Sequence, residues 1–267
     1  MNEARAALAI TAHPDDSEFM CAGTLALLRQ RGWEIHIGTM TAGDCGSELL
    51  PAEQITGIRC VEAANSVALL GGTYHCLNSE DGFIAYDRPT ILKTIALVRK
   101  VRPSLIFAQS PCDFLIDHEV ASALARNAAF FAGVPNVKTE GAEPFRPVPH
   151  LYYMDAVDLK DCLGQPIDPT IVVDIGSEIE TKTRMLSCHA SQRHWLRKQH
   201  GVDEYIDRMQ SMARERGELI GVRYAEGFRQ HLGHGYPQAD LLASELGELV
   251  HEHTGHYAQL PHKGATF

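Results

Sequence analysis

The string Ala12-His13-Pro14-Asp15-Asp16-Ser17-Glu18 constrains this chain more than any other feature. It follows an apolar run, Ala6–Ile10, that reads as a buried strand, and it precedes an amphipathic stretch, Glu18–Arg31, that reads as a helix. One imidazole and two adjacent carboxylates therefore stand at a strand-to-helix turn. In an open parallel α/β sheet, ligands bind beyond the carboxyl ends of the strands, at such turns. Crowding these groups together is costly unless a cation or a reaction uses them.

The alternation continues along the chain. Strands are predicted at Ala6–Thr11, Glu34–Thr39, Thr73–Leu77 and Ser104–Ala108, and helices at Glu18–Arg31, Pro51–Leu70, Arg88–Val101 and Asp117–Phe131. This order predicts an α/β, Rossmann-like doubly wound, mostly parallel sheet with helices on both faces and a C-terminal extension. Gly32, Gly71-Gly72 and Pro103 supply the helix stops. Gly133–Pro149 reads as a long surface loop. A strand pair at His150–Val157 and Thr170–Asp174 and helices at Glu178–Ala190 and Val202–Ile220 are expected after it. With 267 residues and no internal repeat, the chain is expected to form a single domain over 1–267. Its core would run to about residue 190, with a helical, substrate-side region over about 191–267. The histidine-rich tail after His251 is expected to be loosely ordered or to dock on a neighbour.

Composition narrows the partners. A formal net charge of -10 argues against nucleic acid. No apolar run is long enough to span a bilayer, and the N-terminus does not read as a signal peptide. The 7 cysteines are scattered, odd in number and without a Cys-x-x-Cys pair. That usage fits reduced thiols in a cytoplasmic protein better than disulfides or a cysteine zinc site.

A catalytic metal site needs about three protein ligands and an open position. His13 and Asp16 supply two of them. The loop after the fourth strand, Ser110–His118, supplies His118, and the first and fourth strands are neighbours in a sheet of this topology. Two histidines and one carboxylate suit zinc and can also hold iron(II). Asp15 is then free to take a proton from water acidified by the ion, which is the equipment of a hydrolase acting on an amide or ester. An isolated Asp-Asp or Asp-His at a helix start serves equally well as an N-cap. The pairing of the two motifs on adjacent strands is what points to a site. A dinucleotide-binding oxidoreductase would need a Gly-x-Gly-x-x-Gly turn where His13-Pro14-Asp15-Asp16 stands.

The first motif resembles the signature of the PIG-L/LmbE-like metal-dependent N-deacetylases. The resemblance extends through Thr41-Ala42-Gly43-Asp44-Cys45-Gly46-Ser47, Arg59-Cys60-Val61-Glu62-Ala63-Ala64, Asp81-Gly82, Lys182, His189-Ala190-Ser191-Gln192 and Tyr224-Ala225-Glu226-Gly227-Phe228. It implies removal of acetyl groups from N-acetylglucosamine-type sugars or conjugates, with zinc on His13, Asp16 and His118 and with Asp15 as general base. It also implies contacts from Arg59 and Asp81 to sugar hydroxyls, and homo-oligomers. Arg59 and Glu62 are also spaced for an ion pair on a helix surface, and Asp-Gly also suits a turn.

One position departs from that pattern. The family usually carries a histidine three residues before the last metal ligand, where it stabilises the oxyanion or protonates the leaving amine. Leu115 stands there in this chain. Loss of one such donor typically costs about 10²–10³ in rate. The alternative reading is therefore a degenerate member that binds zinc and a sugar with little or no hydrolysis. Candidate replacement donors are His231 and His234, in a glycine-containing stretch. Asp117 is expected to orient His118 or the attacking water. His150, His189 and His194 read as core or helix-surface residues, and His251, His253 and His256 as adventitious metal binders. Cys112 falls in the candidate site loop.

Overall fold

The computed structural model describes residues 5–193 and 204–253. His194, His256 and the first residues of the predicted helix Val202–Ile220 lie outside them. Among the described residues, eight strands build one sheet: β1 Ala6–Thr11, β2 Glu34–Thr41, β3 Thr73–Ser79, β4 Leu105–Ala108, β5 His150–Met154, β6 Ile171–Asp174, β7 Ala225–Gln230 and β8 Val250–Glu252. Their order is β3-β2-β1-β4-β5-β7-β6-β8. The run from β3 to β5 is parallel throughout, and β7 and β8 pair antiparallel with their neighbours. This is the doubly wound α/β sheet expected.

Burial explains the strands. Ala7 and Ala9 of β1 face one core with Leu25, Leu28, Trp33, Phe107 and Phe228, while Leu8 and Ile10 face the other with Ile95, Val98, Ile106 and Leu124. A strand covered on both faces reads as a continuous apolar run. The helices are α1 Asp16–Met20, α2 Ala22–Gln30, α3 Ala52–Ala68, α4 Arg88–Val101, α5 Ile116–Phe131, α6 Ile179–Ser187, α7 Glu204–Glu218 and α8 Leu241–Leu246. The crossover direction reverses between β1 and β4, which pair in register from Ala7↔Leu105 to Ile10↔Ala108. The loops after these two strands therefore leave the same edge side by side, where such sheets place their ligands.

Two expectations are corrected. The single helix predicted over Glu18–Arg31 is broken at Cys21, whose φ of -141° is non-helical. The second piece, α2, is capped from a distance: Glu226 on β7 accepts the N–H groups of Gly23 (2.9 Å) and Thr24 (2.8 Å) and pairs with Lys182 Nζ at 2.6 Å. A Cβ on Gly23 would lie 2.8 Å from Ile175, so only glycine fits there. The predicted strand pair near 150 and 170 is also separated, because β7 inserts between β5 and β6. The segment after residue 203 thus contributes β7 and β8 to the main sheet, and His251 lies within β8.

Lys182 and Glu226 are both buried. Removing one partner of a buried pair strands the other charge, at a cost of about 3–5 kcal/mol. Glu226→Ala should lose that much stability in urea unfolding, and Lys182→Met added to Glu226→Gln should recover part of it.

Candidate active site

The loops after β1 and β4 bring His13, Asp16 and His118 together, with one donor atom from each within 4.8 Å of the others. All three are buried. Asp16 Oδ2 accepts the His13 backbone N–H at 2.7 Å and the Gln109 amide at 3.0 Å, while Gln109 Oε1 accepts from Ala12 N at 2.8 Å. Gln109 thereby ties the end of β4 to the end of β1. His118 turns Nδ1 to Asp113 Oδ1 at 2.9 Å and leaves Nε2 3.5 Å from Asp16 Oδ1. His13 turns Nε2 to Asp81 Oδ1 at 3.0 Å and Asp117 Oδ2 at 3.4 Å, and leaves Nδ1 3.5 Å from Asp16. Each imidazole thus has one nitrogen oriented by a carboxylate and the other aimed at a common point, as histidine ligands of a metal are arranged. The residues present fit a divalent ion.

Asp15 is held in a separate way. Its φ is +103°, a conformation that strains any residue but glycine. Arg59, on α3, donates to the Pro14 carbonyl at 2.8 Å and the Gly43 carbonyl at 3.1 Å, and its Nη2 lies 3.5 Å from Asp15 Oδ2. Tyr205, on α7, donates its hydroxyl to Asp15 Oδ2 at 2.5 Å. Gly43 is required by close approach, because a Cβ there would sit 2.1 Å from Arg59 Nη1. Burial and the nearby Asp16 charge push the Asp15 carboxyl above its usual range, against the pull of Arg59. That shift suits a group that must accept a proton.

Comparison with known proteins agrees with this geometry. Residues 8–129 match the family described as PIG-L: GlcNAc-PI de-N-acetylase. These residues form a PIG-L domain. The chain is 26% identical over 239 residues to a diacetylchitobiose deacetylase of Thermococcus kodakarensis, covering 85% of this chain and 84% of that one. It is 23% identical over 201 residues to a 4-oxalmesaconate hydratase of Pseudomonas putida, covering 71% and 75%. The structure of N,N'-diacetylchitobiose deacetylase from Pyrococcus horikoshii superposes with a TM-score of 0.74 at 28% identity, covering 90% of this chain and 89% of that chain.

The structure places the other candidates differently from expectation. Arg59 is only 4% exposed and is engaged with the Asp15 turn, so it buttresses the site and offers no open face to a sugar. It makes no pair with Glu62, which instead accepts from Ser191 N and Oγ. Asp117 orients His13 and fixes the Gly82 N–H at 2.7 Å, and the orienting of His118 falls to Asp113. Asp81 faces His13 and accepts Cys45 N at 3.2 Å. His231 is not brought to the cluster. It bonds Tyr153 Oη at 3.1 Å and meets Tyr236 edge-on, and the Tyr236 hydroxyl donates to the carbonyl of Arg126. Arg126 lies eight residues beyond His118 along α5, about 12 Å away at 1.5 Å per residue. β7 runs antiparallel and delivers its end, with His231 and the exposed His234, toward the opposite edge of the sheet. His189 is in the core, 3.1 Å from Glu18. Gln109, Asp113 and Tyr205 were missed. For Asp113, a carboxylate five residues before a ligand histidine was a usable signal; Tyr205 had none.

Charge in the PIG-L domain sets how an ion would bind. Burial opposes protonation of His13, but its hydrogen bonds with Asp117, Asp16 and Asp81 outweigh that and push its pKa up to about 12. Burial likewise opposes a charged His118, and Asp16 and Asp113 raise it nonetheless. Without an ion His13 holds its proton through neutrality, and an imidazole that binds an ion must release it. Zinc affinity should therefore rise with pH through neutrality and beyond, toward the raised His13 pKa. Titration calorimetry in buffers of different ionisation enthalpy should show at least one proton released per ion. Gly43→Ala should misplace Arg59 and destabilise the fold by more than about 1 kcal/mol, read as a lowered Tm.

Proposed function

We propose that this chain is a metal-dependent hydrolase that removes an N-acetyl group from an N-acetylglucosamine-type sugar or conjugate. The observation that carries the reading is the convergence of His13, Asp16 and His118 beside a strained Asp15 whose carboxyl burial raises above its usual range. The chitobiose deacetylase relatives support the substrate class. His13, Asp16 and His118 would hold the ion, with zinc favoured and iron(II) accommodated by the same donors. Such an ion polarises the acetyl carbonyl and lowers the pKa of water.

The protein's own groups do the rest. Asp15 takes a proton from the attacking water as the C–O bond forms. It then returns that proton to the amide nitrogen as the C–N bond breaks, so that water and amide become acetic acid and amine. Tyr205 and Arg59 fix the Asp15 carboxylate so that one oxygen remains for this exchange. Asp117 and Asp113 keep the imidazoles in the orientation that binding needs. We further propose a single domain over 1–267 and a cytoplasmic setting, in keeping with seven free thiols. No helix among the described residues is long and apolar enough to cross a membrane.

A second reading, metal and sugar binding with little hydrolysis, is favoured by Leu115, the N-cap residue of α5, which carries no polar group. The hydratase relative is a third chemistry to test. Acetate release from N-acetylglucosamine and simple conjugates by the zinc-loaded protein separates the readings. Asp15→Asn should keep about one zinc per chain and lose at least ~10³ in turnover. Wild-type deacetylation by that variant would disprove the role of Asp15. Activity gained only on Leu115→His would establish the degenerate reading instead.

A further inference from the structure

The mouth of the site is apolar where a capped helix is normally polar. α5 starts from Leu115, with no side chain accepting its first-turn N–H groups, although Ser, Thr, Asp and Asn stabilise that position. The run Phe114-Leu115-Ile116 stands immediately before Asp117 and His118. Phe114 is 61% exposed and Ile116 68%. The Phe114 ring meets His118 edge-on, with centroids 5.3 Å apart. The turn after β3 presents Phe83, 75% exposed, from between Gly82 and Ile84. The N–H groups of those two flanking residues are both fixed by the Asp117 carboxylate. Phe83 and the 114–116 run thus bracket Asp117 and His118.

The inner wall has the opposite character. Asp81, Asp117 and Asp44 line it, with Asp44 accepting the Asp81 N–H at 3.0 Å. Arg59 is committed to the Asp15 turn, and Arg229 donates to Ser110. A phosphate or carboxylate on the substrate would meet carboxylates here. An uncharged apolar group would meet Phe114, whose ring lies edge-on to His118. This continuity with a ligand histidine makes the substrate itself the occupant.

We infer that the rim of Phe83, Phe114, Leu115 and Ile116 binds an uncharged aryl or alkyl substituent carried next to the acylated amine, so that the chain selects apolar amino-sugar conjugates over free, phosphorylated or acidic ones. The inference rests on the hydrolase reading for what is turned over, and its binding arm is independent of turnover. The test compares phenyl N-acetyl-β-D-glucosaminide, N-acetylglucosamine and N-acetylglucosamine 1-phosphate. Zinc-loaded wild-type protein is assayed for kcat/KM, and zinc-loaded Asp15→Asn protein is titrated for binding. The phenyl glycoside should be preferred over the free sugar by roughly tenfold in both, as partial burial of one ring predicts, and the phosphate should be the poorest. Phe83→Ser and Ile116→Ser should each shrink the phenyl-to-free ratio about three- to tenfold at wild-type zinc content. A ratio near one, or one that the substitutions leave unchanged, overturns the inference. Preferential binding without any acetate release overturns the hydrolase reading and leaves the inference standing. Turnover without preference does the reverse, and neither turnover nor preference overturns both.

Discussion

Asp15 sits at φ +103°, a conformation that costs a non-glycine residue about 1–3 kcal/mol, and contacts from distant stretches of chain offset that cost. Arg59 reaches in from α3, Tyr205 from α7, and Gly43 clears the space that the guanidinium occupies. The strain has a geometric result. It sets the Asp15 carboxylate apart from Asp16, its immediate neighbour, so that adjacent residues serve two tasks. Asp16 points at the imidazoles, and Asp15 points at a tyrosine and an arginine. Without that turn the two carboxylates would compete for the same environment.

The second organising feature is electrostatic. Asp16, Asp81, Asp113 and Asp117 surround two imidazoles at the switch point between β1 and β4. Buried and half-buried carboxylates in such number are sustained by hydrogen bonds to fixed donors: the backbone of His13, Gly82 and Cys45, and the Gln109 amide. The arrangement concentrates negative potential at one point, which favours a cation and disfavours anions. The apolar rim adds selectivity of another kind, by area and not by charge. Chemistry and specificity are thus assigned to separate layers of the same loop edge, with Asp117 and His118 one helical turn beyond Phe114 and Leu115.

Much of this was legible in the chain. His13 and Asp16 were readable because they follow the end of β1 within five residues, and His118 because it opens the helix that follows β4; doubly wound topology brings those strand ends together. Local rules failed where the deciding partner came from far away. The Cys21 break depends on Glu226, some 200 residues later, capping α2. Arg59 looked like a surface helix residue because its i,i+3 spacing to Glu62 was the nearest visible pair; its real partners are carbonyls on two other loops. His231 looked available because a glycine-flanked histidine is free in sequence. The antiparallel direction of β7 carries it away from the site.

The sequence by itself determined the α/β alternation, the first six strands, the imidazole and carboxylate types gathered at the cluster and the missing polar group at Leu115, because these depend on residue type and on short-range periodicity. Tertiary structure alone decided which carboxylate orients which imidazole, how the Asp15 turn is held, and where β7 enters the sheet. Those depend on side chains distant along the chain meeting across the sheet, and on strand direction, which no local pattern encodes.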